Sequence, residues 1–142
     1  ASSITRLIDI GIEHFLLSTS LQFVIAQRLI RVLWQECKEA IPIPSDLKKI
    51  IADLPVNINN VFIPNGCNKC NYTGYYGRLG IFEVIVVDDA IRELIQKRAS
   101  VDEIRNYAQS HGTIPLRFDG FEKVRLGITS LEEILRVSAD NL

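Results

Sequence analysis

The feature that most constrains this chain is Cys67-Asn68-Lys69-Cys70, which follows the turn signal Pro64-Asn65-Gly66 and leads into Gly74-Tyr75-Tyr76-Gly77-Arg78-Leu79-Gly80. A Cys-x-x-Cys pair on a tight turn supplies half of a tetrahedral metal or redox site. The other half is expected upstream, where the chain carries Trp34-Gln35-Glu36-Cys37. Tryptophan cannot ligate zinc, so the set Cys37, Cys67 and Cys70 is one thiolate short. Two readings stand at this point. Water or Glu36 fills the fourth corner of a zinc site, or three reduced cysteines pack as small hydrophobes with the Trp34 ring in the room of the missing ligand. The missing ligand favours the second, an incomplete and empty site. His14 and His111 lie far from the knuckle in sequence, and no spacing recommends either as a ligand. Cys37 and Cys67 enclose 29 residues, enough for a small lobe with both ends pinned at one place.

Charge and hydropathy narrow the class further. The 142 residues carry a net charge of -1 with acidic and basic side chains interspersed, which gives nucleic acid no electrostatic footing. The longest apolar region, residues 15–33, is broken by Ser18, Ser20, Gln22, Gln27, Arg28 and Arg31, so it reads as core and not as a membrane span. An odd count of three cysteines at metal-like spacing favours a reducing compartment over a disulfide framework. No basic segment followed by an apolar one marks a signal peptide. The sequence contains no methionine, and the expectation is a piece cut from a larger protein.

Along the chain, Ile4, Leu7 and Ile8 form an amphipathic turn stopped by Gly11. Phe15, Leu16, Leu17, Leu21 and Val24 recur at helical spacing and predict a helix to about Ile25. Arg28 to Leu33 reads as a strand. Ser45 is placed to cap a short helix with Leu47, Ile50, Ile51 and Leu54 on one face, and residues 56–63 read as extended. Ile81 to Val87 is almost continuously apolar, the pattern of a strand buried on both faces. Residues 88–142 read as helical throughout, with Asp88 as a cap, capping boxes at Ser100-x-x-Glu103 and Thr129-x-x-Glu132, and Pro115 opening a helix. Three to four helices with short turns predict a compact bundle.

No Gly-x-x-x-x-Gly-Lys-Ser/Thr loop is present to cradle a triphosphate. Gly74, Gly77 and Gly80 precede a strand, whereas a dinucleotide fingerprint follows one. Neither a nucleophile with its base nor a pair of carboxylates stands out, and Asp88-Asp89 and Glu132-Glu133 are explained by helix starts.

Several stretches together resemble the type II secretion and type IV pilus assembly ATPases (the GspE/PilB family). They are Ile4-Thr5-Arg6-Leu7 through Leu21, Ala26-Gln27-Arg28-Leu29-Ile30-Arg31, and Gly66-Cys67-x-Lys69-Cys70 through Glu83. The last runs from Asp119-Gly120 through Thr129-Ser130-Leu131-Glu132-Glu133-Ile134-Leu135-Arg136-Val137. The resemblance implies the C-terminal part of a homohexameric, RecA-like cytoplasmic motor that uses ATP and Mg. It would stand peripherally at the inner membrane through platform and anchoring proteins, with neither nucleic acid nor direct membrane insertion.

The implied fold is an α/β remnant of a RecA-like core with a small cysteine-knuckle insertion and an all-α C-terminal helical bundle. Residues 1–33 would be the tail of the core, 34–75 a degenerate metal-binding insertion, 76–87 a returning core strand and 88–142 the helical subdomain. With the nucleotide motifs elsewhere in the parent, this stretch is expected to be inert alone, serving subunit packing and partner coupling. Arg78 is the one residue that the resemblance brings toward a bound nucleotide; an ion pair with a neighbouring carboxylate explains it equally. The departure at Trp34 sets this chain apart from zinc-binding members. A free-standing protein-interaction module without ATPase activity is the alternative.

Overall fold

The computed structural model describes residues 1–45, 48, 58 and 60–138, with mixed α/β structure. Its elements in chain order are α1 (Ser2–Asp9), α2 (His14–Ser20), β1 (Phe23–Leu33), β2 (Lys38–Pro42) and β3 (Asn60–Pro64). After a 3₁₀ turn (Asn68–Cys70) come β4 (Tyr75–Val86), α3 (Asp89–Gln96), α4 (Val101–Ser110), α5 (Leu116–Arg125) and α6 (Leu131–Ser138). The chain divides into two compact units, residues 1–26 with 83–115 and residues 27–82 with 116–142. β1 and β4 are hydrogen-bonded neighbours, and each contributes residues to both units.

The first unit holds α1 to α4 around Ile4, Leu17, Ile85, Val87, Ile91, Ile95, Ile104 and Ala108. The expected α2 stops early. Its last residue is Ser20, and the strand begins at Phe23, because Phe23, Val24 and Ile25 form a β-favouring run that the helical spacing of Leu21 and Val24 conceals. Arg92 on α3 donates from Nη1 to the Ser18 carbonyl at 2.6 Å, and Gln96 Nε2 donates to Ser18 Oγ at 3.3 Å. The first of these bonds serves a C-terminal carbonyl that a helix as short as α2 leaves open. The Asp88 cap and the Ser100–Glu103 box both form as the sequence predicts.

In the second unit, β2 and β3 pair antiparallel in a register running from Lys38 opposite Pro64 to Pro42 opposite Asn60. Ile30, Ile58, Val61, Ile81, Leu116, Phe121, Val124, Leu131 and Ile134 form its core. Gly120 lets α5 and α6 meet closely, since a Cβ there would lie 3.0 Å from Ile134. Lys38 ties the small sheet to the turn after α5, donating to the Gly127 carbonyl at 2.9 Å with its ammonium over the Phe62 ring.

Two further expectations change. The Ile81–Val87 run is buried on one face only: Ile81, Ile85 and Val87 are inside, while Phe82, Val84 and Val86 are exposed. The last helix is capped by Ser130 instead of Thr129, with Ser130 Oγ accepting from the Glu133 amide at 3.2 Å. Leu47, Ile50, Ile51 and Leu54, the apolar face predicted after Ser45, lie outside the described residues, as do Val56, Asn57 and Asn59. No helix among the described residues is long and apolar enough to cross a membrane.

Candidate functional site: a three-thiol knuckle and a buried carboxylate

The knuckle is assembled by backbone turns. The Trp34 amide donates to the Gly74 carbonyl at 2.9 Å, and the Trp34 carbonyl accepts from the amides of Cys37 and Lys38 at 3.2 and 3.0 Å. This turn carries Cys37 to the other two cysteines. On the far side the Cys67 carbonyl accepts from the amides of Cys70 and Tyr72, closing the 3₁₀ turn. Asn71 and Tyr72 then take left-handed conformations (φ 52° and 61°), which are unfavourable for residues with a side chain and are held by these bonds.

Cys37, Cys67 and Cys70 come together. Sγ of Cys70 lies 3.8 Å from that of Cys37 and 3.7 Å from that of Cys67, and all three sulfurs are within 4.8 Å of one another. Tetrahedral corners about 2.3 Å from a zinc ion lie about 3.8 Å from one another, so the two shorter edges of this triangle have the length of a zinc–thiolate site. Three corners therefore suit a metal. A closed structural zinc site needs four ligands, and no further His, Cys, Asp or Glu among the described residues joins the group. The Trp34 indole instead packs on Tyr76, with ring centroids 4.9 Å apart, and its buried Nε1 has no hydrogen-bond partner among the described residues. Glu36, the acidic neighbour, pairs with Lys69 at 2.5 Å. As they stand, these residues do not complete a closed zinc site.

The sulfurs are electrostatically unequal. Burial pushes the Cys70 thiol up, but the amides of Cys67 and Gly74, each donating to its Sγ at 3.2 Å, outweigh burial and bring it down to about 7. Burial pushes Cys37 up to about 11, and hydrogen bonds within the thiol group add to it. Cys70 is thus more acidic than Cys37.

Arg78 stands exposed on β4 with no ion pair among the described residues. His14 and His111 belong to the first unit and stay outside the sulfur group.

Sequence reasoning missed a second cluster. Glu133, treated as a helix-start acid, is fully buried and binds two arginines. Its Oε1 accepts from the Arg31 amide at 3.0 Å and from Arg136 Nη2 at 2.8 Å. Its Oε2 accepts from Arg31 Nε and Nη2 at 2.9 and 2.7 Å and from Arg136 Nε at 3.0 Å. Burial works to raise its pKa, and the two guanidiniums reverse that, leaving it at about 2. Only the i,i+3 spacing of Glu133 and Arg136 was legible; Arg31 is 102 residues away.

The knuckle, the glycine-rich return strand and the helical pair that closes the second unit belong to one recognisable class. The chain belongs to the family described as type II/IV secretion system protein, whose pattern matches residues 1–136. It is 42% identical over 139 residues to the type II secretion system ATPase E of Vibrio cholerae, covering 98% of this chain and 27% of that protein. It is 38% identical to the type IV pilus assembly ATPase TfpB of Acinetobacter baylyi, with 96% and 24% covered. It is 40% identical to the type IV pilus assembly ATPase PilB of Thermus thermophilus, with 95% and 15% covered. The chain spans about a quarter or less of the length of these relatives.

Proposed function

We propose that this chain is a structural and coupling part of the ATPase subunit of a type II secretion or type IV pilus assembly machine. The observation that carries this reading is the family match over residues 1–136, together with relatives of about 40% identity that are named as ATPases of both machines. On this reading residues 1–33 and 76–87 belong to a RecA-like core, 34–75 to the knuckle insertion and 88–142 to a helical subdomain. The motor is a homohexamer that binds ATP and Mg through residues outside this chain. It works in the cytoplasm at the inner membrane through platform and anchoring proteins. The chain has no phosphate-binding loop, so its own part is packing and transmission, with exposed Arg78 reaching toward a bound nucleotide. The knuckle keeps its shape through thiols, amides and the Trp34–Tyr76 stack without a metal.

Deleting the gene that encodes this chain tests the reading. Loss of either protein secretion into the medium or surface pili is expected, and the one that is lost names the machine. Retention of both overturns it. The purified chain alone should release no phosphate from ATP.

A further inference from the structure

The Arg31–Glu133–Arg136 cluster does more than tie a strand to a helix. Each guanidinium places its Nε and Nη2 edge on the buried carboxylate, leaving Nη1 of both without a hydrogen-bond partner among the described residues. The Arg31 and Arg136 side chains are 45% and 60% exposed, whereas Glu133 is completely covered. The negative partner is therefore inside, and the end-on edge of each guanidinium (Nη1 with the second N–H of Nη2) is left over on a partly exposed side chain, with a net charge of +1. Arg31 is held further by the Tyr75 ring, 4.1 Å below its guanidinium, and the Tyr75 hydroxyl is anchored 2.7 Å from Ser130 Oγ. Their rotamers are thus fixed before any ligand arrives, which removes the ordering entropy that weakens most arginine contacts at a surface. Arginine and tyrosine are also the residue types enriched at energetically dominant interface positions.

We propose that Arg31 and Arg136, oriented by Glu133, form a docking site for a carboxylate-bearing segment of a protein partner. A guanidinium fork matches a carboxylate in geometry and charge. Phosphate suits the site less well. The cluster contains no lysine, its net charge is only +1, and exposed Glu132, whose charge is felt at Tyr75, stands against a dianion. The inference is independent of which machine the chain serves.

Dye-labelled hexaglutamate is the probe, followed by fluorescence anisotropy on the full chain, with hexalysine and inorganic phosphate as comparison arms. Saturable binding of hexaglutamate is expected. Arg136→Gln, which leaves the Arg31–Glu133 bonds in place, should weaken it roughly tenfold, the loss of a charge-assisted hydrogen bond. Arg136→Lys should recover only part, because it restores charge without the fork. Arg105→Gln on the first unit should bind as the natural chain does. No binding, or equal loss in Arg105→Gln, overturns the site. Displacement of the peptide by inorganic phosphate at lower concentration would assign it to phosphate and overturn the protein-segment reading. Unchanged far-ultraviolet circular dichroism of Arg136→Gln confirms that the comparison is between folded chains.

Discussion

Glu133 grips Arg31 twice, through its backbone amide and through its guanidinium, so one buried carboxylate fixes both the path of β1 and the direction of a side chain on it. Replacing Glu133 with Gln keeps the volume but turns an amide donor toward guanidinium and backbone donors. Because both arginines can regain water, the loss should be smaller than for a fully buried ion pair, about 2 kcal/mol. A lowered denaturant midpoint with an unchanged m-value would show it. Lys97→Ala, which removes the exposed partner of Glu93, should leave the midpoint almost unchanged.

The same carboxylate sets an acid limit. Its pKa in the folded chain is about 2, against an ordinary 4.5. A depressed folded value means that stabilisation is complete above about 4.5 and is lost as pH falls toward 2. The half-exposed arginines regain water as the carboxylate is protonated, so the loss over that window should be about 2 kcal/mol, the same as for Glu133→Gln. Unfolding midpoints measured between those pH values should show this slope, and Glu133→Gln should flatten it.

What the sequence showed and what it hid follow one division. Asp88 and the Ser100–Glu103 box are local devices, complete within four residues, and they formed where they were read. At Thr129-Ser130-Leu131-Glu132-Glu133 two overlapping box patterns compete. Thr129 Oγ1 donates to the Arg31 carbonyl at 2.8 Å, leaving Ser130 as the cap and freeing Glu133 for Arg31. That choice depends on a strand about a hundred residues earlier, which local pattern cannot see. Exposed Phe82, Val84 and Val86 have the same origin: a run of apolar residues gives no sign of which face receives neighbours. The cysteines lay between these cases. Spacing brought Cys67 and Cys70 together, and the Trp34 turn supplied Cys37.

The glycines of the knuckle should differ sharply in their tolerance of alanine. Gly74 has φ +73°, and a Cβ on it would lie 2.3 Å from that of Pro64; Gly77 has φ +79° with open space around it. Gly77→Ala therefore meets only the left-handed backbone penalty, about 1 kcal/mol. Gly74→Ala adds a backbone clash at the pin between β3 and β4 and should cost about 3 kcal/mol or more. Urea unfolding of the two variants decides, and equal midpoints would count against the described turn.

The last expectation concerns the metal. The sulfur triangle is of a size that would accept an ion, yet the ring of Trp34 lies on Tyr76 and Glu36 is engaged with Lys69, so a fourth ligand would have to come from solvent. A water-completed three-thiolate site loses its ion to competitors more readily than a closed one, because the open corner admits them. Protein purified without added zinc should contain much less than one equivalent by elemental analysis, and a strong chelator should leave its thermal midpoint unchanged. Trp34→Cys supplies the fourth thiolate at the spacing that a zinc knuckle uses. It should raise the zinc content toward one equivalent and make the midpoint chelator-sensitive. A full equivalent of zinc in the natural chain, retained against the chelator, would show that three sulfurs suffice and that the lobe is metal-built after all.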